Sequence, residues 1–180
     1  MKQTITIPIY PIVDALNAKV HYTARAKSTS AEGEAIISDI SEGENEDMMA
    51  ASLNKATGRM ADVIRLYVPV SITRTGEFGG PASEDDQEQA ITAELTLPSN
   101  YDTAHLPALA EAMVQYCQNA ILQDWFATTV PDDVAHYAQQ QTEAIAAMRT
   151  ALMHRVRPGY EDETPVLDTY ELIYPTTDEA

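Results

Sequence analysis

The chain has 180 residues, a formal net charge of −17 and a single cysteine, Cys117. That length suits one domain, or one domain with an arm, and buries enough surface to need no metal or disulfide. One cysteine excludes an intramolecular disulfide and suits a reducing compartment, while no apolar run approaches the ~20 residues of a membrane span.

The distribution of charge says more than its sum. Residues 32–47 hold seven acids, 77–94 hold six and 159–180 hold seven, with no lysine or arginine in any of the three stretches. Twenty of the 28 acids are thereby accounted for, and the rest of the chain carries a small positive surplus. The acidity belongs mainly to connecting segments and a tail. Direct binding of nucleic acid by the protein as a whole is disfavoured, since such affinity comes from neutralising phosphates.

In chain order, residues 3–9 alternate polar and apolar, with Ile5, Ile7 and Ile9 on one face of a strand. Pro8 cannot donate to a ladder, so this strand belongs at an edge. The Met1–Ile9 stretch, with one lysine and alternating threonines, does not read as a signal peptide. From Pro11 the period becomes helical through Ile12, Leu16, Val20, Thr23 and Lys27, predicting a helix over 11–27. Ser28 to Gly33 reads as a loop, with Ile36 and Ile37 as a short buried piece.

Ser41 and Glu44 have capping-box spacing before a second helix over 43–67. Its stripe is Met49, Leu53, Ala56, Met60, Val63 and Tyr67; Gly58 costs ~1 kcal/mol against alanine and reads as a place where a neighbour can approach. Residues 68–75 and 91–97 alternate as the flanks of an antiparallel hairpin, and 76–89 between them has the composition of a long acidic loop. Pro98–Asp102 is a turn. A third helix starts near Thr103, has Pro107 in its first turn, and buries Leu106, Leu109, Met113, Tyr116, Ala120 and Ile121 before ending near Trp125 and Phe126.

The fourth helix is the most regular. Val134, Ala138, Gln141, Ile145, Met148, Leu152 and Arg155 alternate spacings of four and three. Thr129 with Asp132 has capping-box spacing, Pro131 sits in the first turn, and Pro158–Gly159 is the stop. Asp132 and Asp133 lie at the positive end of the dipole, and Arg149, His154, Arg155 and Arg157 at the negative end.

No catalytic signature emerges. Asp132, Asp133 and His136 share a helical face, but no second His or Cys pair completes a metal set, and an N-terminal dipole pair is the plainer reading. Cys117 lies on an apolar stripe, where a free cysteine is a small hydrophobe rather than a nucleophile. Glu77–Pro81 is glycine-rich but lacks the Lys–Ser/Thr and the strand-to-helix setting of a phosphate cradle. The basic cluster of Arg149, His154, Arg155 and Arg157 either complements the dipole and local acids or meets an acidic stretch of a neighbouring subunit. Trp125 and Phe126 either close a core or anchor an interface. Tyr170, Leu172 and Tyr174 in the tail form a third set of interface candidates. No cofactor is implied.

Several stretches resemble a family of head-completion proteins of tailed phages and of prophages of gut Bacteroidales. They are Leu97–Tyr101; Glu111–Tyr116 running to Asp124–Phe126; Pro131 through Tyr137–Ala138; and Met153–Pro158, with Val20–Lys27 similar to the family's first helix. The likeness covers residues 4–158; the loop 76–89 and the tail 159–180 have no counterpart in it.

The resemblance implies a head–tail connector, or adaptor: a homo-oligomeric ring beneath the portal, contacting portal and tail or neck proteins. DNA would pass through its lumen without specific binding, and assembly in the host cytoplasm would end in the virion. The expected fold is α+β, mainly helical: a four-helix bundle with a small antiparallel hairpin or sheet and an extended C-terminal arm. Residues 1–158 form the domain, with the hairpin at 68–97, and 159–180 form the acidic arm. Two alternatives stand beside this reading: an acidic DNA mimic or other protein-binding inhibitor, and another neck protein such as a tail terminator.

Overall fold

The computed structural model describes residues 1–38, 40, 44–75 and 89–156. They fold mainly as helices, with a small three-stranded antiparallel sheet. In chain order the elements are β1 (Lys2–Pro8), α1 (Tyr10–Lys27), α2 (Ala31–Ser38), α3 (Glu44–Arg65), β2 (Val70–Thr75), β3 (Ala90–Thr96), α4 (Leu106–Thr129) and α5 (Val134–Met153). Short 3-10 turns, Thr103–His105 and Pro131–Asp133, lead into α4 and α5.

The strand order is β1-β3-β2, so the hairpin strands pair as expected and β1 adds to the far side of β3. Ile5 lies opposite Ala93 and Ala93 opposite Ile72, while Ile7 opposes Ile91. These residues face the core. The opposite face is a polar row set, Thr6–Thr92–Thr73 and Thr4–Glu94–Ser71, as the two-residue period requires. Pro8 ends β1 at the sheet edge, where its missing N–H breaks no internal ladder.

α4 is the centre of the helical layer. It packs most extensively on α5, then on α3, and also touches α1 and β1. Eleven of its residues are buried, among them Leu109, Met113, Cys117, Leu122 and Phe126, distributed around much of the helix. A helix that is apolar nearly all round is a core helix; the one-sided stripe read from the sequence is half of its buried surface.

Four local expectations are corrected. The segment 31–38 is a helix rather than a loop with a buried piece: Ser30 Oγ accepts the Gly33 N–H at 3.1 Å as a cap, and Ile36 is exposed. The Thr129–Asp132 capping box does not form, because Thr129 Oγ1 donates to the Trp125 carbonyl at 3.1 Å. The buried face of α5 runs through Tyr137, Ala144, Met148, Ala151 and Leu152, with Gln141 and Ile145 only partly covered. α5 also ends at Met153, before Pro158–Gly159, because His154 turns extended and the chain there pairs with the 100–102 turn. The Ser41 cap, the 76–88 loop, Pro158–Gly159 and the 159–180 arm lie outside the described residues.

Candidate assembly surface

The basic end of α5 is built on a tie between two distant turns. Tyr101 and Arg155 form an isolated antiparallel bridge. The Val156 N–H donates to the Asn100 carbonyl at 2.8 Å and the Asp102 N–H to the His154 carbonyl at 3.4 Å. Tyr101 is buried and its hydroxyl donates to the Ala151 carbonyl at 3.0 Å, satisfying an acceptor of the last helical turn. Burial pushes the Tyr101 phenol above its ordinary range; the Arg155 guanidinium opposes that shift and Asp102 adds to it.

Arg155 Nη1 donates to the Leu152 carbonyl at 2.6 Å and to the His154 carbonyl at 2.9 Å, and its guanidinium carbon stands 5.6 Å from the Tyr101 ring centre. It therefore neutralises the helix C-terminus directly while its side chain remains exposed. His154 stacks on His105 with ring centres 3.6 Å apart and planes 8° apart. Asp102 Oδ2 lies 3.7 Å from His105 Nε2, and Asp102 Oδ1 accepts the Ala104 N–H at 3.0 Å. Parallel stacked rings do not aim their nitrogens at a common ion. Among the described residues no group of three or more His, Cys, Asp or Glu is placed to hold a metal.

Of the interface candidates, Arg149, His154 and Arg155 are exposed on this end of the molecule. Trp125 and Phe126 are in the core: Trp125 is 4% exposed with its Nε1 donating to the Ile37 carbonyl at 3.0 Å, and Phe126 is fully buried and stacked on Tyr137. Their surface is spent inside the chain, so in this conformation they offer nothing to a neighbour. Arg157, Tyr170, Leu172 and Tyr174 lie outside the described residues.

The remaining polar constellations tie neighbouring elements together. Asp133 receives the Lys27 ammonium at 2.9 Å, joining α1 to the start of α5, and His136 meets the Gln140 amide at 2.9 Å. Asp124 accepts from Ser52 at 3.0 Å and from Lys55 at 3.2 Å, joining α3 to α4 beside a recess with room for about one water molecule. Cys117 is fully buried, and burial pushes its thiol up to about 12, so almost none of it is thiolate at neutral pH. Among the described residues no helix is long and apolar enough to cross a membrane.

The parts played by Tyr101, Asp102 and His105 were not foreseen from sequence. Each meets a residue about fifty positions away, and no local period announces such a pairing. Comparison with family models, with curated proteins and with solved structures finds no match to this chain.

Proposed function

We propose that this chain is a non-enzymatic structural subunit of a phage virion, a head–tail connector that assembles as a ring joining portal to tail and lining the DNA passage. In this reading α1, α3, α4 and α5 act as a four-helix bundle, and the hairpin and the acidic arm reach neighbouring subunits. The observation that carries it is the segregation of charge: 20 of 28 acids fall in three stretches free of lysine and arginine, on a body whose α5 end is basic. Acidic segments facing a lumen repel DNA phosphates and let the duplex slide, and a basic end that meets a neighbour's acids favours a head-to-tail contact that closes into a ring.

The net charge also suggests a DNA mimic. A mimic spaces carboxylates along rigid surfaces, whereas α4 and α5 carry only Glu111, Asp124 and Glu143 between them, and the acids of α2 and α3, Asp62 apart, gather at the helix starts instead of running along the helices. The connector reading is therefore preferred. Its test is charge reversal: Arg155→Glu with Arg157→Glu impairs assembly, read by sedimentation, far more than monomer folding, read by thermal unfolding. Equal loss of both marks the arginines as parts of the fold alone.

A further inference from the structure

Seven large apolar side chains of the described residues are exposed, among them Met1 (41%), Leu66 (74%), Met153 (65%) and Val156 (52%). Backbone hydrogen bonds bring the segments that carry these four to one end of the molecule. The Leu97 N–H donates to the Met1 carbonyl, the Thr96 N–H to Pro69 just beyond Leu66, and the Val156 N–H to Asn100 just beyond Leu97. The same end carries Arg155 and His154, both exposed, and Lys2, which opposes Thr96 in the sheet. Exposed apolar side chains set among basic groups mark a surface that a partner covers.

We propose that the occupant is the 159–180 segment of a neighbouring copy, an inference that rests on the ring reading above. Two observations select it. Its seven acids are accompanied by no lysine or arginine, which complements Lys2, Arg155 and His154, while Val166, Leu167, Tyr170, Leu172 and Tyr174 supply apolar and aromatic groups for the exposed side chains. In sequence it begins three residues after Val156, which is itself exposed at this end, so each subunit that receives a neighbour's segment also sends its own from the same end. Tyrosines and leucines take the apolar positions, and Asp168 and Glu171 meet the basic rim.

Cysteine cross-linking of the full chain tests this. An isotopically heavy Met153→Cys chain is mixed with a light Leu172→Cys chain and oxidised, and the Met153→Cys/Leu172→Cys double variant is oxidised in parallel, with disulfides mapped by mass spectrometry. The expected result is a heavy–light 153–172 link. Separately, Tyr170→Ser with Leu172→Ser and Tyr174→Ser weakens self-association about tenfold or more, and Met153→Asp does the same from the other side. Assembled particles without the link overturn the docking and leave the ring reading standing. A link confined to single copies of the double variant, in a chain that sediments as a monomer, overturns both.

Discussion

Tyr101 shows how much one side chain organises here. Its hydroxyl caps a carbonyl of α5, its ring lies beneath Arg155, and its backbone bridges to the segment that leaves the helix. Tyr101→Phe removes the hydrogen bond and leaves the buried Ala151 carbonyl without it, a loss of about 1 kcal/mol in urea denaturation. The pH dependence has a fixed sign. Burial raises the phenol's pKa in the folded state, so its contribution is whole below the unfolded value of about 10 and is lost as pH rises through the folded value. The alkaline fall in stability is accordingly smaller in Tyr101→Phe than in the native chain. Cys117, with its thiol at about 12, reacts with a thiol reagent such as Ellman's only after denaturant is added; rapid reaction of the native chain would contradict its burial. The place of Cys117 was legible, because it sits on an apolar stripe. That of Tyr101 was not, because its partner is 50 residues away.

At the scale of elements, periodicity located every long helix and all three strands within a few residues, because each has one face on a shared core. It failed where neighbours decide. In α3 the expected stripe drifts: Met49, Leu53, Ala56 and Met60 are buried, but Ile64 replaces Val63 as the next fully buried side chain, the offset that arises when 3.6 residues per turn meet a 3.5-residue pattern. α2 was hidden because its single cap and exposed Ile36 imitate a loop; Trp125 holds it to α4 through the Ile37 carbonyl. Trp125→Phe therefore loses about 1–3 kcal/mol from the missing hydrogen bond and the volume left behind, and raises amide exchange first in 31–38. The sequence marks Gly58 as a point of close approach, yet among the described residues a Cβ there would meet nothing within 4 Å. Gly58→Ala consequently stabilises the monomer by about 0.5–1 kcal/mol in denaturant unfolding. If that gain comes with loss of assembly, the close approach belongs to a neighbouring subunit.

Over the whole molecule, sequence and structure divide the work. The helical body around α4 and the sheet make a packed frame whose salt bridges, such as Lys27–Asp133, are at least partly open to solvent and add little to its stability. The candidate interface divides too: its basic part stands on the exposed α5 end, its aromatic pair Trp125 and Phe126 is consumed by the core, and its tail members act, in our reading, on another copy. Patterning tells that an aromatic is large and apolar, but not which surface will cover it. In our reading this chain is built to close a ring of identical subunits. The most direct measurement is the mass and image of the purified full chain, alone and mixed with a portal ring, by native mass spectrometry and cryo-electron microscopy. Closed rings of one stoichiometry seated on the portal, weakened by Arg155→Glu with Arg157→Glu, are the expected result. A strict monomer under both conditions would contradict it.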